Sequence, residues 1–199
     1  MESLTRVTVA LFLVWLAAPV TTVAQFTGTQ FGLAGGTTIP VGSFQSNPQA
    51  GGYGYRVGWQ GMAFVSYRRP DTRLGAQFDA GYAVNTSHDP INGFPTDGKV
   101  QFLGADADLT VMLSTKTRVK LYLLGGFGIH NVTQSFFSSS GRFVGPTHTN
   151  PAWNTGWGVT AGALLFEARY VHIDGIGLGF PTFPFLAVTA GLRLGGWSS

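Results

Sequence analysis

Along residues 103–113 the chain reads Leu-Gly-Ala-Asp-Ala-Asp-Leu-Thr-Val-Met-Leu, with an apolar residue at every odd position and Gly104, Asp106, Asp108 and Thr110 between them. Successive side chains of a β-strand point to opposite faces, so this stretch has one greasy face and one face bearing two carboxylates. The same period of two recurs along the chain. It predicts strands over residues 30–39, 55–67, 74–84, 103–113 (entered from about Lys99), 119–129, 156–163, 165–172 and 185–194. No helix-period pattern with caps competes with them, and after Ala24 no apolar run reaches the ~20 residues of a spanning helix. The expectation is an all-β chain of eight strands.

The links between these strands sort by length. Residues 40–54, 85–98, 131–155 and 173–184 are long and carry Gly, Pro and Asn punctuation, whereas 68–73, 114–117 and the 163–164 junction are tight. Long and short alternate, so in a chain of antiparallel neighbours all the long links fall on one rim and all the turns on the other. That sorting, with an even strand number, is the pattern of an eight-stranded antiparallel up-and-down transmembrane β-barrel. A soluble barrel that binds a ligand in the periplasm is the alternative. It needs the opposite assignment of faces, with the apolar side turned into a dry core.

Under the membrane assignment the polar faces line the lumen. They carry Arg56, Lys120, Arg169 and Arg193 against Asp79, Asp106, Asp108 and Glu167. Equal numbers of each sign predict an inner ion-pair network, because a buried charge is tolerated only when paired and hydrogen-bonded. Asp106 and Asp108, two apart on one face, could also be read as an acid/base pair. Tyr55, Tyr67, Tyr82, Trp157 and Tyr170 fall near predicted strand ends on the apolar face, where interfacial girdles sit, while Trp59 and Phe78 fall mid-strand.

Composition narrows the picture further. Only 11% of the 199 residues are charged, against roughly 25% in an average soluble domain, while Gly numbers 29 and aromatics make up 14%. The net charge of +3 comes from scattered residues and gives no case for nucleic-acid binding. Cysteine is absent, which removes disulfides, thiol nucleophiles and thiolate metal sites. Residues 1–24 combine Arg6, an apolar run over 7–20 and small residues before a cut after Ala24, the make-up of a secretory signal peptide. The mature domain is then 25–199. A membrane anchor is the other reading of this segment, for which the run is short.

Four phrases resemble the small outer-membrane β-barrel family that includes the OmpX-type proteins and the OmpA transmembrane domain. They are Phe31-Gly32-Leu33-Ala34-Gly35-Gly36, Leu121-Tyr122-Leu123-Leu124-Gly125-Gly126-Phe127-Gly128, Phe166-Glu167-Ala168-Arg169-Tyr170 and Val188-Thr189-Ala190-Gly191-Leu192-Arg193-Leu194. The resemblance implies a bacterial outer-membrane location, a side-chain-filled lumen, contact with membrane lipids, and surface loops with a structural or ligand-contacting role. It also implies a terminal aromatic read by the barrel assembly machinery, for which Trp197 stands two residues before the end. The expected state is a monomer.

Some barrels of this size are enzymes that modify lipid A or phospholipids, and such chemistry needs a Ser/His/acid set at the lipid-facing rim. His88, His130, His148 and His172 show no such spacing, with His148-Thr149-Asn150 the nearest phrase, and no metal-ligand spacing. No cofactor is expected, and the reading is a non-catalytic barrel.

Overall fold

A computed structural model describes residues 28–45, 52–69, 71–87, 97–114, 118–138, 141–175 and 182–195. The predicted signal segment, His88, Trp197 and the central parts of three predicted loops (46–51, 88–96 and 176–181) lie outside the described residues.

Eight strands follow one another: β1 (Thr29–Pro40), β2 (Gly58–Arg68), β3 (Leu74–Ser87), β4 (Asp97–Met112), β5 (Val119–Ser138), β6 (Gly141–Ala161), β7 (Leu164–Ile173) and β8 (Phe183–Leu194). Each pairs antiparallel with its chain neighbours, and β8 returns to β1, with Phe31 opposite Leu194 and Pro40 opposite Phe185, closing the barrel. Closure removes the two free edges that an open sheet would leave unpaired, which a membrane does not tolerate. β7, with ten residues at ~3.3 Å each and the usual ~40° tilt, spans about 25 Å, the height of an outer-membrane apolar band.

The period of two places side chains as the sequence implies. Along β4, Leu103, Ala105, Ala107, Leu109 and Val111 point outward and exposed, and Phe102, Asp106, Asp108 and Met112 point inward. Leu33, Phe78, Phe127, Ile129, Phe166 and Leu192 continue this outer surface around the barrel, Phe127 at 77% exposure. A continuous apolar belt on this scale is far beyond what a protein in water exposes.

Two expectations about boundaries are corrected. The predicted 131–155 loop is mostly strand: β5 and β6 remain paired out to Ser138 opposite Gly141, with a register shift between Thr133 and Ser135. Beyond the belt neither face needs to be apolar, so the hydrophobic alternation stops while the backbone ladder continues. Polar cross-strand pairs take over, Thr133 with Thr147 at 2.7 Å and Thr149 donating to Asn131 at 2.7 Å. Pro146 and Pro151, which normally argue against strand, further hid the signal. β2, in turn, starts at Gly58 rather than Tyr55. At the opposite rim, β6 and β7 join through Gly162-Ala163, where Gly162 has φ +60°, a backbone conformation that suits glycine in a tight hairpin.

If the Leu109 side faces lipid, Leu109→Arg should destabilise the barrel by about 2–4 kcal/mol in guanidinium unfolding from bilayers, because a cation near the midplane has no partner there.

Candidate functional site in the barrel lumen

The inward residues form layers. Nearest the long links, the chain between β1 and β2 folds into the mouth through a single 3-10 turn, Gly42–Phe44, and seats Phe44 at 0% exposure. Its ring meets Tyr55 at 4.9 Å, Phe183 at 5.4 Å and Phe102 at 6.1 Å, in one apolar cluster with Val100, Val132, Ile173 and Phe185. This part of the lumen is an apolar plug, not the polar interior expected. Tyr55, predicted at the lipid interface, belongs to it: it is buried, and burial pushes its phenol up to about 12. Gly54, at φ +67°, and the hydrogen bond from the Arg56 amide to the Thr86 carbonyl (2.9 Å) turn the chain before β2, so parity is not carried back through Tyr55.

Below the plug lies the charge cluster, centred on Arg169 of β7. Its Nη1 lies 2.9 Å from Asp79 of β3 and 2.9 Å from Asp108 of β4, while its Nε donates to Glu167. Tyr122 of β5 donates to the other Glu167 oxygen at 2.6 Å. Asn154 of β6 donates to Asp108 at 2.9 Å and to Asp106 at 3.3 Å, and His130 of β5 sits 3.2 Å from Asp106. Glycines on β4 and β5 make room for this crowding: a Cβ at Gly104 would enter the His130 ring, and one at Gly126 or Gly128 would meet Asp108 or Asp106. A cavity of about 50 Å³ lies beside Arg169, Asp79 and His130, large enough for water to serve the buried Arg169 Nη2 and His130 Nδ1, which have no hydrogen-bond partner among the described residues.

A second apolar layer, with Phe64, Met112, Tyr122, Leu124 and Leu165, separates the cluster from the turn-side mouth. Arg193 works at that mouth, donating to the Gly162 carbonyl at 2.8 Å and to Gln30 at 3.0 Å, with Arg68 buried nearby.

Of the eight charges assigned to one inner network, the structure brings together Asp79, Asp106, Asp108, Glu167 and Arg169. Lys120 and Arg193 stand apart near the turns, and Arg56 is exposed outside the strands on the loop side. Four carboxylates therefore face one guanidinium and one imidazole, and the even balance of signs is corrected. His130, Asn154 and Tyr122 complete the cluster. His130 and Tyr122 were legible as inward-parity positions of β5, but Asn154 fell in the stretch read as loop. Asp106 and Asp108 are tied into pairs beneath the plug.

On the outer surface Tyr67 and Trp157 are exposed and Tyr82 and Tyr170 half-buried. Trp157 lies four residues inside the end of β6, not at a strand terminus. Toward the loop side the aromatics pair: Trp59 with Tyr82 at 5.5 Å, and Trp153 with Tyr170 and with His172, both at 5.4 Å. Trp153 lies in the part of β6 that the sequence pattern predicts as loop, so the alternation does not reveal it.

No protein-family model and no curated protein matches the chain. Solved structures do. Neisserial surface protein A aligns at a TM-score of 0.54 with 18% identity, covering 84% of this chain and 97% of its own. The fold is that of the small eight-stranded outer-membrane barrels. Ail, the attachment invasion locus protein of Yersinia pestis, aligns at 0.48 with 16% identity over 85% of this chain and 100% of its own. The outer membrane enzyme PagL aligns at 0.44 with 16% identity over 83% and 98%.

Arg169→Leu leaves several buried carboxylates facing one another and should cost about 3–5 kcal/mol in unfolding free energy, whereas Arg193→Leu, which removes hydrogen bonds to the neutral Gly162 and Gln30 oxygens, should cost less.

Proposed function

We propose that this protein is a bacterial outer-membrane barrel with a closed lumen, exported by residues 1–24, whose outer hairpin and loops meet the cell's surroundings. The observation that carries this reading is the continuous apolar belt outside a charged interior, bounded on one side by tight turns and on the other by the β1–β2, β3–β4 and β7–β8 links and the β5–β6 hairpin. The role is structural and surface-interactive. The β5–β6 hairpin supports it, since it stands beyond the belt and exposes Phe137, Phe143 and Val144, with Arg142 lying 5.5 Å over the Phe137 ring. In fractionated cells the protein should stay with the outer membrane until detergent is added, and recovery as a soluble periplasmic species would overturn the reading. Across a planar bilayer the purified barrel should hold no sustained conductance, because the Phe44 plug and the two lower layers fill the bore.

A lipid-modifying enzyme is the second reading, and one feature favours it. Tyr170, His172 and Asp174 form a row on the outer face, with His172 Nε2 3.1 Å from Asp174 and Nδ1 3.5 Å from the Tyr170 hydroxyl. The row orients an imidazole but offers it only a distant phenol, with no serine in line among the described residues, so we assign it to the aromatic interface. His172→Ala is accordingly expected to leave the acyl-chain pattern of lipid A and phospholipids unchanged by mass spectrometry. A lost modification would identify the enzyme.

A further inference from the structure

The turn-side rim gathers positive charge that is dispersed in the sequence. Arg68 ends β2, Arg69 and Arg73 flank the β2–β3 turn, Arg118 precedes β5, Lys120 is its second residue and Arg193 lies one residue from the end of β8. These six are half of the chain's 12 lysines and arginines. Among the described residues of that rim, the acidic side chain is Asp71 alone. The loop side is close to balanced in the described residues, with Arg56, Lys99 and Arg142 against Asp97 and Asp174.

The six divide by direction. Arg68, Lys120 and Arg193 belong to the inner face, where protein contacts already engage Arg193 and Arg68. Arg69, Arg73 and Arg118 are exposed and lie along one arc from β2 to β5. They stand just past the last outward apolar residues of that arc, Tyr67 at 51%, Leu74 at 62% and Val119 at 53% exposure. Arg69 shares an ion pair with Asp71 at 3.2 Å, but both groups are some 70% exposed, so water screens the pair. Three guanidiniums at the edge of a lipid-facing belt are placed where headgroups lie, and each is a planar fork suited to phosphate oxygens.

We infer that the arc formed by Arg69, Arg73 and Arg118 binds the phosphates of anionic phospholipids in the turn-side leaflet. This rests on the membrane reading above. Charge complementarity and continuity with the apolar belt select a lipid over a soluble acidic partner, because the phosphate arrives already held at the right depth. Near a membrane surface basic residues favour anionic lipid, an effect confined to a Debye length.

The test uses the full chain, carrying a fluorophore on a single cysteine at Leu74 beside the arc, in vesicles of phosphatidylcholine mixed with phosphatidylglycerol, one or the other brominated, so that quenching gives their relative association at that part of the barrel surface. At low salt phosphatidylglycerol should be preferred by about threefold or more, falling toward parity in high salt. Arg69→Gln, Arg73→Gln and Arg118→Gln together should abolish the preference, and the corresponding lysine variants should keep most of it. Arg118→Gln alone should lower it in part, which decides the matter even if the triple variant does not insert. Equal association of the two lipids with the wild-type barrel would overturn the inference. So would displacement of phosphatidylglycerol by inorganic phosphate beyond that by chloride at equal ionic strength, since that marks a soluble-anion site. Failure to insert into either vesicle would instead sink the membrane reading itself.

Discussion

Arg169 is the residue on which the interior depends. A sheet that turns its apolar face outward must place its polar face in a narrow bore, where a charge is stable only against an opposite charge with good hydrogen-bond geometry. Arg169 reaches from β7 to Asp79 on β3 and Asp108 on β4, and holds Glu167 on its own strand. Tyr122, Asn154 and His130 satisfy the outer carboxylate oxygens from β5 and β6. The cluster thus joins strands β3 through β7 across the lumen, in addition to the backbone ladder around the wall.

The remaining layers follow from the same constraint. The cluster holds more carboxylates than cations, so bulk water on both sides would compete for it. The Phe44 plug covers it from the loop side and the Phe64, Met112 and Leu165 layer from the turn side. Glycine-rich stretches of β4 and β5 are its packing counterpart: Gly104, Gly126 and Gly128 leave the space that His130, Asp108 and Asp106 occupy. In the sequence these glycines look like weak strand formers. In the barrel they are what lets four acidic groups and their partners fit a bore of this width.

Much of the barrel was legible because one rule governs it. Period-two alternation located all eight strands, and the alternation of long and short links set the two rims, since both report directly on which face meets lipid. Where lipid stops, the rule stops. The outer halves of β5 and β6, with Asn131, Thr133, Thr147 and Thr149, read as loop because nothing there needed to be apolar. Tyr55 was misplaced because parity says nothing about a residue that leaves the strand and folds back into the mouth. The charge balance failed for a related reason: parity gives the side of the wall but not the height along the axis, so Arg56, Lys120 and Arg193 were pooled with groups that lie in another layer. Height also turned basic residues scattered in the sequence into a charged rim.

The central claim is that the apolar face looks outward. Absence of cysteine makes single-cysteine variants along β4 clean reporters of it. With the barrel in vesicles, a fluorophore attached at Leu103, Ala105, Ala107 or Leu109 should be quenched strongly by brominated lipid, and one at Thr110, which opens on the turn-side mouth, only weakly, so that neighbouring odd and even positions differ. The reverse alternation, with the even positions buried in lipid, or strong quenching at neither set, would contradict the account.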